Sequence, residues 1–93
     1  MFFLLSNPTS GGGKGRLITS QVISALNDRN IDFENISGTS YESASANLKY
    51  VIANRSVSGI ILIGGDGMVH LAIQHVANRN IPILLIPAGT GND

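Results

Sequence analysis

Three segments of this 93-residue chain combine residue types that can hold and transfer a phosphate. The first is Asn7-Pro8-Thr9-Ser10-Gly11-Gly12-Gly13-Lys14-Gly15-Arg16. Successive N–H groups free of bulky side chains, two hydroxyls and two cations ahead of a helix suit an anion, phosphate foremost. It is not a Walker A loop, because Gly15 rather than Ser or Thr follows Lys14, and Arg16 stands where a dinucleotide fingerprint needs its third glycine. The second is Gly64-Gly65-Asp66-Gly67, whose glycines let the backbone press on phosphate oxygens while one carboxylate orients Mg²⁺ or polarises an attacking hydroxyl. The third, Pro87-Ala88-Gly89-Thr90-Gly91-Asn92-Asp93, offers donors and acceptors to a ribose or phosphate. Each has a plainer reading: a solvated glycine loop, an Asp66 helix N-cap, and a turn followed by a cap.

The intervening sequence supplies elements to position these loops. Phe2 to Leu5 is apolar on both faces, as in a covered strand. Ile18, Val22, Ala25 and Leu26 recur at helical spacing, closed by Arg29 and Asn30. Ile31, Phe33 and Ile36 predict a half-exposed second strand with Asp32 and Glu34 on its other face. Ala44, Leu48, Val51 and Ile52 form a second helical stripe ending near Arg55, before the strand Ile60 to Ile63. Val69, Ala72, Ile73, Val76 and Ala77 give a third helix ending at Arg79 and Asn80, before Ile83 to Ile86. Both of the last two strands read as buried. Arg29, Arg55 and Arg79 are expected as helix-end cations, and His70 and His75, five apart, as surface histidines rather than a metal pair.

Strands joined by single helices run parallel, so right-handed crossovers build a three-layer α/β/α fold. With the half-polar second strand at the edge, the order is 2-1-3-4, and a crevice opens between the first and third strands at their carboxyl ends. Ten of eleven glycines follow strands and collect on that rim; Gly59 is the exception. A cleft lined by Gly11, Gly65 and Thr90 is the resulting expectation.

Composition removes other classes. Six basic residues balance six acidic ones, and aromatics make up 5%. That leaves neither the basic field nor the stacking surfaces of a nucleic-acid binder. There is no cysteine, hence no disulfide framework or thiolate site. No apolar run approaches the ~20 residues of a membrane span, and the first residues lack a signal peptide's basic flank. The expected location is cytoplasmic. The apolar fourth strand, with nothing following Asp93 to cover it, is expected to be covered by a longer protein or by a second copy in a homo-oligomer.

The three loops together resemble the nucleotide-site motifs of the diacylglycerol kinase catalytic domain family, which includes bacterial lipid kinases and sphingosine kinases. The resemblance runs the length of the chain. It implies that residues 1–93 are the N-terminal nucleotide-binding part of a fold shared with NAD kinases, without the family's C-terminal β-rich domain and its further acidic residues. It further implies transfer of the terminal phosphate of MgATP to a lipid hydroxyl, of diacylglycerol or a sphingoid base, by a protein that is cytoplasmic or peripheral at the membrane. The isolated 93 residues are expected to be inactive. Asp66 would be catalytic. Asn7, Ser10, Gly11, Thr39, Gly64, Gly65, Asp66, Gly67, Gly89, Thr90 and Asn92 would contact the nucleotide. Thr39 with Glu42 equally reads as a capping box. Met68 and His70-Leu71 depart from the Thr and Asn-Glu common in the family, which removes polar contacts at the start of the third helix. A soluble-substrate kinase of NAD kinase type, a non-catalytic nucleotide sensor and a plain interaction module remain as alternatives.

Overall fold

The computed structural model describes residues 1–6, 14–77 and 79–88. Four strands, β1 (Phe2–Ser6), β2 (Phe33–Asn35), β3 (Gly59–Gly64) and β4 (Ile83–Pro87), alternate with helices α1 (Lys14–Asp28), α2 (Tyr41–Asn54) and α3 (Asp66–Val76). The sheet is parallel with order β2-β1-β3-β4. The expected topology therefore stands, with the reversal of strand order between β1 and β3.

Alternation along β1 and β3 divides the core into two layers. Leu4, Ile61 and Ile63 face α1 and meet Ile18, Val22 and Leu26; Phe3, Leu5, Ile60 and Leu62 face α2 and α3 and meet Leu48, Leu71 and Ala72. Every residue of β3 is buried. Gly59, the glycine that no rim loop explains, opens this strand because a Cβ there would lie 2.9 Å from the Phe2 ring. Asn30 takes a left-handed φ of 55° to close α1, and the Arg29 guanidinium donates to the Ala25 carbonyl.

Four sequence expectations change. Ile36 does not share a face with Phe33: three residues apart on extended backbone, they point to opposite sides, Phe33 toward α1 and Ile36 into the other layer. The buried stripe of α3 is Met68, Leu71, Ala72 and Val76, while Ile73 is 54% exposed. Two overlapping stripes fit the helical period here, and packing on β3 and α2 selects the one beginning at Met68. Arg55 reaches across to β2 instead of back onto helix carbonyls: its guanidinium lies 3.3 Å from Glu34 Oε1 and 5.2 Å from the centre of the Phe3 ring. Finally, β4 is bare. Ile83, Leu84 and Leu85 are exposed because β3 flanks the strand on one side and no described element lies over it.

Candidate nucleotide site

The carboxyl rim is set by where the strands stop. Ser6 pairs in register with Ile63, and Gly64 with Pro87, so the segments after β1, β3 and β4 leave the sheet at the same level from adjacent strands. The Ala88 N–H donates to the Gly64 carbonyl at 3.2 Å, fixing the exit of β4 against that of β3. Asn7, Ser10 and Gly11, after β1, and Gly89, Thr90 and Asn92, after β4, lie outside the described residues. Of the expected cleft lining, Gly65 stands directly after the end of β3, and Gly11 and Thr90 are among the residues outside those described.

The turn from β3 into α3 is described in full. Gly65 is the N-cap of α3 and offers no side-chain cap; Asp66 is the first helical residue. This corrects the reading of Asp66 as an N-cap. Its exposed carboxylate instead occupies the first turn, where the helix dipole favours negative charge. A helix start without a side-chain cap leaves its leading N–H groups available to an external acceptor. The glycines around it differ in kind. A Cβ on Gly64 would come within 2.6 Å of Met68 Cγ, whereas one on Gly65 or Gly67 would meet nothing within 4 Å. The fold needs Gly64 for packing, but it leaves open space beside Gly65 and Gly67 that a ligand approaching the backbone would use.

Of the three departures from the family pattern, Met68 and Leu71 are buried in the core. Their side chains pack against the sheet and contribute nothing polar to the rim. His70 is exposed beside Gln74, while His75 is partly buried with its Nε2 2.8 Å from Ser45 Oγ. Among the described residues no three His, Cys, Asp or Glu side chains cluster as a metal site. Asp66 is a single hard oxygen ligand, which fits Mg²⁺ arriving already bound to phosphates.

Thr39 lies on the β2–α2 turn at the same rim, exposed, after Gly38 with its φ of +73°. Its N–H donates to Ser43 Oγ at 2.9 Å. The capping box of α2 is one residue later than the Thr39–Glu42 reading. Ser40 Oγ accepts from the Ser43 N–H, and Ser43 Oγ accepts from the Ser40 N–H. The Thr39 hydroxyl is thereby released from a capping role.

The sequence motifs pass over a second set of polar groups. The Ser6 N–H donates to Ser37 Oγ at 3.0 Å, Ser6 Oγ lies 2.6 Å from Thr19 Oγ1, and Thr19 Oγ1 donates to the Gly15 carbonyl at 2.6 Å. With Arg16, Ser20 and Asn35, these side chains line a cavity of about 160 Å³ between the first turns of α1 and the end of β2. The available signals are a serine closing an apolar strand and a threonine four residues after a helix-start glycine. Both are too common to single out.

The model of the diacylglycerol kinase catalytic domain family matches residues 1–93. The chain is 37% identical over 89 residues to proteins named diacylglycerol kinase from two strains of Mycobacterium tuberculosis, CDC 1551 / Oshkosh and H37Rv, covering 96% of this chain and 28% of each of theirs. Two structures of a protein assigned as a diacylglycerol kinase from Bacillus anthracis strain Sterne match with a TM-score of 0.76 and 26% identity. They cover 99% of this chain and 32% and 33% of the neighbour. The chain thus spans about a third or less of the length of these relatives.

Proposed function

Because the chain belongs to the diacylglycerol kinase catalytic domain family, we propose that it is the ATP-binding portion of a lipid kinase that transfers the terminal phosphate of MgATP to a lipid hydroxyl. The observation that carries this reading is the start of α3. There, a helix N-terminus without a side-chain cap meets open space beside Gly65 and Gly67, with the Asp66 carboxylate at its edge.

Phosphoryl transfer asks a protein mainly for positioning and for compensation of charge. In this reading the N–H groups of the Gly64–Gly67 turn bind the phosphate oxygens, and the absence of Cβ atoms at Gly65 and Gly67 sets how near they come. Asp66 faces the terminal phosphate and holds the metal or the acceptor hydroxyl. Bound Mg²⁺ supplies the charge that offsets both Asp66 and the phosphates. Thr39, Asn7, Ser10, Gly11, Gly89, Thr90 and Asn92 complete the nucleotide contacts. The lipid, diacylglycerol or a sphingoid base, is held by the part that the longer relatives carry beyond this region, so residues 1–93 bind nucleotide without turnover. Among the described residues no helix is long and apolar enough to cross a membrane. In this proposal the protein meets its lipid at the bilayer surface.

Calorimetric titration of ATP with Mg²⁺ into the chain and into Asp66→Ala tests the binding half. The parent gives saturable heat, and the variant loses the Mg²⁺-dependent part. A chimera joining residues 1–93 to the remainder of the Mycobacterium tuberculosis relative, assayed with diacylglycerol, sphingosine and NAD, tests the chemistry. Phosphorylation of NAD alone would replace the lipid kinase with a soluble-substrate kinase.

A further inference from the structure

Ser6 is the buried polar residue among the described side chains, at 3% exposure, and it closes β1 at the rim. Its neighbours fix the direction of every hydrogen bond around it. The Gly15 carbonyl can only accept, so the single Thr19 hydroxyl proton goes there, and the Ser6 hydroxyl must donate to Thr19 Oγ1. On the other side, the Ser37 hydroxyl donates to Asn35 Oδ1 at 2.5 Å. That oxygen is identified by the Ser37 N–H, which also donates to it at 3.0 Å. The Ser37 oxygen is then the acceptor for the Ser6 N–H.

This arrangement continues the sheet beyond its last rung. The Ile36 N–H still reaches the Leu4 carbonyl, but the Ile36 carbonyl accepts from the Asn47 side-chain amide at 3.0 Å, and the Ser37 hydroxyl takes the Ser6 N–H. The result is a polar chain from Asn35 through Ser37, Ser6 and Thr19 to Gly15. It ties the end of β1 to the first turn of α1 and to the turn that carries Thr39. None of its hydroxyl protons is left for a ligand.

We infer that Ser37 and Thr19 are positioning residues for nucleotide binding, acting through Ser6 on the spacing of the β1 and β2 exits and the start of α1. The inference rests on the ATP reading of the rim. Its test compares ATP affinity in the parent, Ser37→Ala, Thr19→Val and the double variant, each titrated well below its own melting temperature. Each single variant is expected to weaken ATP about fivefold, the effect of one lost hydrogen bond. The double variant should lose little more than the weaker-binding single, because both cut the same chain. Ser37→Thr and Thr19→Ser, which keep the hydroxyls, should restore binding. Parent-like affinity in folded Ser37→Ala and Thr19→Val would overturn the inference, as would additive losses that the hydroxyl-bearing variants fail to rescue. A parent that binds no ATP would remove the nucleotide reading and this role with it. Should Thr19→Val not fold, Ser37→Ala with its Ser37→Thr rescue decides the matter, since Ser37 lies outside the core.

Discussion

Met68 packs its side chain against the backbone of Gly64 so closely that a Cβ on Gly64 would lie 2.6 Å from Met68 Cγ, while Gly65 and Gly67 face open space. Three glycines of one motif therefore answer to different demands. Gly64→Ala should destabilise the fold by about 1–3 kcal/mol through overpacking. Gly67→Ala, inside the first turn of α3, should stabilise the ligand-free chain by about 0.4–1 kcal/mol by restricting the unfolded chain. Gly65→Ala and Gly67→Ala should both weaken ATP. Thermal melts and titrations on the same samples check this; a Gly67→Ala protein that binds ATP like the parent would detach this turn from the nucleotide.

The capping of α2 separates stability from ligand contact at adjacent residues. Ser40→Ala removes the acceptor for the Ser43 N–H and should cost about 1 kcal/mol, a fall of about 4–8 °C in melting temperature for a domain of this size. Thr39→Ala should leave the melt within about a degree, since small surface changes cost little, and should lower ATP affinity. The opposite pattern would return the cap to Thr39.

Arg55, at the end of α2, contacts Glu34 on the edge strand β2 and the Phe3 ring on β1. Its pairing with Glu34 is solvent-exposed, with side-chain exposures of 40% and 48%, so Glu34→Gln should cost no more than about 0.5 kcal/mol. Arg55→Ala also uncovers the Phe3 ring and should cost about 1 kcal/mol. Denaturant unfolding of the two variants in low and high salt tests the division, since the Glu34 share should fade with salt and the Phe3 share should persist.

The bare β4 strand predicts association. Leu84 is 57% exposed and Leu85 42%, and they point to opposite faces of an edge strand that carries no charge. The chain should self-associate with rising concentration, as light scattering will show. Leu84→Lys with Leu85→Lys should suppress this while leaving the far-UV circular dichroism intact. A monodisperse monomer at high concentration would show that the exposed strand is tolerated.

Much of the architecture was legible because its determinants are local. Ile60 to Ile63, apolar on both faces and bounded by glycines, reads as a doubly covered strand, and the clustering of glycines after strands picks out the carboxyl rim as the candidate site. Two of the misreadings occur where two local solutions tie. Thr39–Glu42 and Ser40–Ser43 both make acceptable caps, and stripes beginning at Met68 or Val69 both fit a helical period. The Ser6 network was invisible for a different reason: its members are ordinary hydroxyl residues separated by up to 31 positions, and only the fold makes them neighbours.

By itself, the sequence determined the alternation of strands and helices, the parallel order with β2 at one edge, and the three glycine-bearing segments, because periodicity and backbone permissiveness are properties of short stretches. Tertiary structure decided which glycines serve packing and which leave room for a ligand, that Asp66 is the first helical residue instead of the cap, and how Arg55 divides between Glu34 and Phe3. Those outcomes depend on the closeness of groups far apart in the chain, and only the packed sheet and helices set that distance.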